Sequence, residues 1–356
     1  MSHAVRKIRQ FYKTIIRSFA GPSTPGSGVM IVLLNNHLPA APPEKGLRRA
    51  SGRYNAPIQP SEDPTMPTPI IAIANQKGGV GKTTTAVNLA ACLAERRQKI
   101  LLIDLDPQAN ATSGLGVEKT AGASIYDILL SDQPIAGIIQ TTAVARLDLV
   151  ASEVDLAGAE IDVARADHYL QRLAMTLEPL AAEHRYDFIL IDCPPSLGIL
   201  TMNALCAADG LLIPMQCEYY ALEGISTILN AVGKLHDSGA APRLAVEGIV
   251  MTMYDMRTNL SHQVVGEIQT HFPAQIYDSL IPRSVRLAEA PSHGLPIIAY
   301  DPNCTGAAAY RQLAREFLKR RKAAAAEPAE NDPDAEPEAD LAAAESDPAA
   351  PEGQPS

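Results

Sequence analysis

Between positions 76 and 84 the chain reads Gln76-Lys77-Gly78-Gly79-Val80-Gly81-Lys82-Thr83-Thr84. These residue types at this spacing suit one task, holding a string of phosphates. Glycines let backbone N–H groups curl around phosphate oxygens with no Cβ in the way. Lys82 is spaced to reach the outer phosphates, and the Thr83 hydroxyl to ligate Mg²⁺. The general pattern is G-x-x-x-x-G-K-[ST], and Gln76 stands where its first glycine belongs. A second lysine, Lys77, sits inside the loop instead, which makes this the deviant form of the motif. The alternative is a lysine-rich turn that binds nothing.

Two aspartate loops could complete a phosphate site. Leu101-Leu102-Ile103-Asp104-Leu105-Asp106-Pro107-Gln108 closes one apolar run, and Phe188-Ile189-Leu190-Ile191-Asp192-Cys193-Pro194-Pro195 closes another. Phosphoryl transfer needs an acidic group near Mg²⁺ and a residue that orients the attacking water. Asp192 suits the first role, through a metal-bound water, and Asp106 the second. Either aspartate alone could merely cap the helix that follows it.

The elements that must position these groups follow from hydrophobic pattern. Short continuous apolar runs at 70–75, 100–105, 147–151, 188–191, 210–214, 248–253 and 276–281 read as strands covered on both faces. Amphipathic stretches lie between them, including 166–184 and 224–236. The alternation implies an α/β fold, a doubly wound and mostly parallel sheet of the P-loop NTPase type. Ligands of such sheets bind at the carboxyl ends of the strands. There, strand 70–75 delivers the glycine loop and the next helix presents its N-terminus to phosphate.

Charge divides the 356-residue chain into three. Residues 1–67 hold nine Lys/Arg against three Asp/Glu, and open with a basic helical pattern before dissolving into Pro, Gly, Ser and Asn. This segment reads as a poorly ordered extension, a membrane-surface helix or a partner-binding arm, with Met66 an alternative start. Residues 68–322 form the expected α/β domain that carries the glycine and aspartate loops. Residues 323–356 carry ten Asp/Glu and no Lys/Arg, and read as an acidic disordered tail. The domain is itself mildly acidic, so any nucleic-acid contact needs a local basic patch. Five unpaired-looking cysteines suit a reducing cytoplasm, and no apolar run is long enough to span a bilayer.

Several blocks together resemble the ParA/Soj family of partition ATPases, in the deviant Walker A class. They are the loop with Asn75 before it, Asp104-Leu105-Asp106-Pro107-Gln108, Asp192-Cys193-Pro194-Pro195, Gln216-Cys217-Glu218-Tyr219-Tyr220-Ala221-Leu222-Glu223-Gly224, Arg257-Thr258-Asn259-Leu260 and Ile281-Pro282-Arg283-Ser284-Val285-Arg286. They span essentially all of 68–322 in the family's order. The resemblance implies ATP and Mg²⁺ as cofactors and a homodimer when ATP is bound, with Lys77 crossing to the partner's phosphates. It places Pro282 and Ser284 near adenine, with Ser284 standing where the family has Asn. It implies non-specific double-stranded DNA binding through Arg257, Arg283 and Arg286, a ParB-like centromere-binding partner, and a cytoplasmic, nucleoid-associated protein without stable membrane association. Lys319-Arg320-Arg321-Lys322 either extends the DNA patch or stabilises a helix C-terminus. Two other readings share the fold. One is a MinD-like membrane-associated division-site ATPase. The other is an iron–sulfur electron-transfer protein using Cys193, Cys206 or Cys217.

Overall fold

Alternation of side chains decides the layering. In β1 (Ile70–Ile73), Ile70 and Ala72 pack into one core while Ile71 and Ile73 pack into another on the opposite face. The same split divides Leu101 and Ile103 from Ile100 and Leu102 in β2 (Ile100–Asp104). Successive strand side chains point to opposite faces, so a continuous apolar run means a sheet covered twice. The computed structural model describes residues 67–118, 124–130, 133–218 and 221–326. The basic helix expected near the start of the chain, Met66, and the acidic tail past 326 lie outside the described residues.

Seven strands form one sheet in the order β3-β4-β2-β5-β1-β6-β7. The others are β3 (Ile139–Thr141), β4 (Leu147–Val150), β5 (Phe188–Asp192), β6 (Gly210–Gln216) and β7 (Ala245–Thr252). All pairings are parallel except β3 with β4. One face is covered by α3 (Ile125–Leu130), α4 (Leu156–Val163), α5 (Arg172–Ala182), α6 (Ile199–Ala207), α7 (Ala221–Asp237) and α8 (Asn259–His271). The other carries α1 (Lys82–Glu95), α2 (Asn110–Gly114), α9 (Val285–Glu289), α10 (Ile297–Tyr300) and α11 (Thr305–Ala326). Central β1 lies between β5 and β6, in a register that sets Ile73 beside Asp192. The β2–β5 register sets Asp104 beside the same Asp192. Three chemistry-bearing strand ends therefore meet.

The structure departs from the sequence-based expectation in four places. Residues 276–281 are not a strand. Tyr277 and Ile281 donate to β7 carbonyls at 2.9 Å, but the amides of Asp278 and Ser279 between them donate to the Glu316 carboxylate at 2.9 and 3.0 Å. A side chain takes the hydrogen bonds a ladder would need. The antiparallel edge β3 was not foreseen, being three residues long with little burial. The helix expected over 166–184 starts only at Arg172, since His168 adopts a left-handed φ of 55° that helical backbone forbids. At the far end, α11 runs on to Ala326, past the expected boundary at 322.

Candidate nucleotide and DNA site

The glycine loop sits where β1 hands over to α1. Gly79 has φ 72° and Gly81 φ 87°, both in the left-handed region that favours glycine. Gly78 is less constrained, since a Cβ there would meet only Pro195 at an ordinary 3.8 Å. Two side chains anchor the loop to the sheet. Asn75 accepts from the Lys77 amide at 3.0 Å and donates to the Pro214 carbonyl in β6 at 2.8 Å. The Thr252 hydroxyl at the end of β7 donates to the Val80 carbonyl at 2.7 Å. Sequence reasoning gave neither residue a role. The signal for Asn75 was its place just before the turn, where Asn readily bonds backbone two residues on. Thr252 had none.

Inside the loop, Lys82 is 6% exposed and its Nζ donates to the Lys77 carbonyl at 3.1 Å. Burial lowers its pKa, against the pull of Asp192, Cys193 and Asp106. Asp192 is fully buried, and neither carboxylate oxygen has a hydrogen-bond partner of good geometry among the described residues. Burial first, then the neighbouring Asp104, hold its carboxyl well above the usual aspartate range, opposed by the Thr83 hydroxyl and Lys82. A desolvated anion with no cation is costly. An orphaned carboxylate beside a hydroxyl is the oxygen-only chemistry a hard cation such as Mg²⁺ takes. Lys82 and the amides at the start of α1 complement phosphate. The residues present therefore fit Mg²⁺ with a nucleoside phosphate, with the Thr83 hydroxyl near enough to Asp192 to oppose the rise in its pKa.

Asp106 follows β2, is 5% exposed, and accepts the Gln108 amide at 2.9 Å through Oδ1. Asp104, to which the sequence reading gave no role, is more deeply buried. Burial raises its pKa to about 6, partly offset by hydrogen bonds from Thr112 and the Asp106 amide. Lys77 points elsewhere. Its Nζ pairs with the Glu218 carboxylate beyond β6, and both side chains are about two-fifths exposed. The two lysines of the loop thus occupy different environments, one dry and one wet.

The segment carrying Pro282, Arg283 and Ser284 runs alongside the residues that leave β7. Tyr254 donates to the Ile281 carbonyl at 3.0 Å, and Arg283 donates to the Tyr254 carbonyl at 3.1 Å. This brings Arg257 and Arg283 onto neighbouring loops. Ser284 precedes α9 without capping it through its side chain. Arg257 is exposed but held in a bidentate pair by Asp255 at 2.9 and 2.7 Å. That contact keeps the Asp255 carboxyl well below its ordinary value. Arg286 pairs with Glu289 at 3.1 Å and Asp301 at 3.5 Å. Arg283 is exposed and makes no ion pair among the described residues.

The run 319–322 divides. Arg321 is buried against Glu247 at 2.9 Å, while Arg320 stacks over Tyr277 at 4.1 Å and pairs with Glu316. Only Lys319 and Lys322 remain exposed, so two of the four charges are spent inside the fold. Cys193, Cys206 and Cys217 all pack into one hydrophobic core. Burial pushes their thiols up, Cys206 to about 11, Cys217 to about 12 and Cys193 higher still. Thiolate is the ligand form, so these cysteines sit in surroundings that favour packing over cluster binding.

A family model described as an AAA domain matches residues 68–246. The sporulation initiation inhibitor protein Soj of Bacillus subtilis is 53% identical over 248 residues, which is 69% of this chain and 97% of that protein. The chromosome partitioning protein ParA of Myxococcus xanthus is 51% identical over 252 residues, 70% of this chain and 88% of that one. Among solved structures, cobyrinic acid a,c-diamide synthase from Mycobacterium smegmatis, with bound ATP analog and magnesium, aligns with a TM-score of 0.62 and 33% identity. That alignment covers 72% of this chain and 96% of the other.

Proposed function

The chain belongs to the Soj/ParA family of partitioning ATPases, and from that premise we propose that its ATP-bound form is a two-subunit sandwich that binds DNA without sequence preference. It is a P-loop ATPase using ATP and Mg²⁺. When bound, Mg²⁺ neutralises charge on the outer phosphates. The hydroxyl of Thr83 and the carboxylate of Asp192, the latter through water, would hold it. Lys82, which donates to the Lys77 carbonyl in the free protein, would hold a phosphate oxygen in a dry site, where charge interactions are strong. The amides of Gly78 to Thr84 cradle the phosphates. Asp106 orients the attacking water. Pro282 and Ser284 lie toward the base. The ATPase domain occupies 68–322, with α11 continuing beyond.

The observation that carries the dimer reading is the division of labour between the two lysines. Lys82 already fills the interior position, so the half-exposed Lys77 is surplus to its own subunit. A surplus cation beside a phosphate site acts as a charge-stabilising finger when a second phosphate site is brought to it. For DNA, Arg283 offers an exposed cation with no ion pair among the described residues, and Arg257 and Arg286 can exchange an intrachain carboxylate for phosphate. Phosphate contacts need charge and reach and carry no sequence information. The DNA-bound dimer sits on the nucleoid in the cytoplasm, and a ParB-like centromere-binding protein stimulates hydrolysis and releases it.

The decisive experiment measures ATP hydrolysis with DNA and a ParB-type partner, each alone and then together, alongside gel filtration in ATP. Synergistic stimulation is expected, with a lasting ATP dimer for Asp106→Ala and none for Lys77→Ala. A monomeric Asp106→Ala protein in ATP, or a normal dimer from Lys77→Ala, would overturn the sandwich.

A further inference from the structure

The catalytic loop after β2 is bolted by buried hydrogen bonds that phosphate chemistry does not itself require. Asp104 accepts the Asp106 amide at 3.2 Å through Oδ1. Its Oδ2 accepts both the amide and the hydroxyl of Thr112, at 2.8 and 2.7 Å. Because the Thr112 hydroxyl proton is given to Asp104, its lone pair is free to accept the Ser152 amide, at 3.1 Å. The Ser152 hydroxyl in turn donates to the Asp106 carbonyl at 2.7 Å. The ring closes on the residue where it began. Thr112 and Asp104 are fully buried and Ser152 is 1% exposed. Three separate pieces of chain meet here: the end of β2, helix α2, and the residues leaving β4.

We propose that Thr112 and Ser152 are positioning residues for Asp106, holding the peptide groups on either side of it so that its carboxylate meets the attacking water in one geometry. A buried network in which every donor has an acceptor specifies one arrangement. Misplacing a catalytic group by about 1 Å costs on the order of 10²-fold in rate. Among the described residues neither side chain hydrogen-bonds to the P-loop lysines, so nucleotide binding is left to other groups. Their role follows only if Asp106 is the hydrolytic aspartate.

The test is steady-state ATP hydrolysis with Mg²⁺ on the full chain. Ser152→Ala removes one hydroxyl, while the Ala109 amide still serves the Asp106 carbonyl at 2.8 Å. It is expected to lower kcat by about tenfold or more with KM within about twofold. Thr112→Val should lower kcat likewise, and Thr112→Ser, which keeps the hydroxyl, should restore it. In an Asp106→Ala background Ser152→Ala should change the residual rate no further, since residues acting as a unit are non-additive. An unchanged kcat in Ser152→Ala, or a fall matched by an equal rise in KM, overturns the proposal. So does a further proportional loss in the Asp106→Ala background. Should Thr112→Val fail to fold, Ser152→Ala decides. Parental hydrolysis by Asp106→Ala would defeat the Asp106 reading as well. Lost hydrolysis there with a parental Ser152→Ala rate would defeat this inference alone.

Discussion

Two regions of this molecule bury charge, and they treat it in opposite ways. At the carboxyl ends of the strands, Asp192 is fully buried with no partner of good geometry among the described residues, Asp104 lies beside it, and Lys82 caps a carbonyl of its own loop. Near the amino end of β7, Glu247 is as deeply buried but faces Arg321 at 2.9 Å and the Tyr277 hydroxyl at 3.2 Å. Burial still raises the Glu247 carboxyl, and Arg321 is the first group to pull it back. The second region brings its opposite charge along on α11. The first, among the described residues, sets only Lys82 against the buried Asp104, Asp106 and Asp192 and leaves the rest to be supplied from outside. Matched burial fastens the last helix to the sheet, although Nε and Nη2 of Arg321 find no hydrogen-bond partner among the described residues, whereas unmatched carboxylates favour a cation.

The largest expected effect breaks the matched region. Glu247→Ala leaves the Arg321 guanidinium buried without its carboxylate, which should cost about 3–5 kcal/mol. Thermal melting would report it, and a loss below about 1 kcal/mol would mean the pair is no more than packing. Hydrolysis per folded molecule should not change.

The unmatched region should respond with the opposite sign. A buried Asp whose folded pKa is raised favours folding fully only below its unfolded value of about 3.9, and that contribution is lost as pH rises through the raised value. Asp192→Asn has no such loss. Without nucleotide, the variant should be more stable than the parent at pH 8 by about 1–3 kcal/mol, with the gap shrinking toward pH 5 in urea titrations. Its Mg²⁺-dependent hydrolysis should fall by roughly 10²-fold or more. A variant less stable than the parent at pH 8 would show that Asp192 is satisfied in the free protein.

The same contrast recurs on the surface at smaller scale. Arg283→Ala should reduce the slope of log affinity for DNA against log salt by about one. Arg286→Ala should reduce it less, because Glu289 and Asp301 already neutralise it. Equal reductions would show that DNA displaces those carboxylates freely. The smallest effect belongs to the wet pair. Glu218→Gln should change stability by less than about 1 kcal/mol, while freeing Lys77 and letting ATP-dependent dimers form at slightly lower ATP. Hindered dimerisation would instead give Glu218 a part in the closed state.

Much of this was legible from residue order. The strand–loop–helix layout placed Lys82 and Thr83, and the apolar runs that end in Asp106 and Asp192 placed the acids, because those signals are local. Illegible features depended on which partner a residue meets. The tetrad 319–322 looks like one basic cluster in sequence, yet α11 turns Arg320 and Arg321 inward and leaves Lys319 and Lys322 outside. Residues 276–281 have a strand's composition, but Glu316 claims the amides that pairing would use. Asn75 and Thr252 hold the P-loop through strands far along the chain, and nothing in their immediate neighbours announces it.

By itself, the order of residues determined the phosphate cradle, the twice-covered parallel sheet and the surplus lysine. Each follows from spacing within a few residues and from backbone geometry that glycine, lysine and threonine carry with them. Tertiary structure alone decided which charges are matched. Lys77 meets Glu218 across 141 positions, Arg321 meets Glu247 across 74, and Thr112 meets Ser152 across 40. Burial sets how much an unpaired charge costs, and burial exists only once distant strands lie side by side.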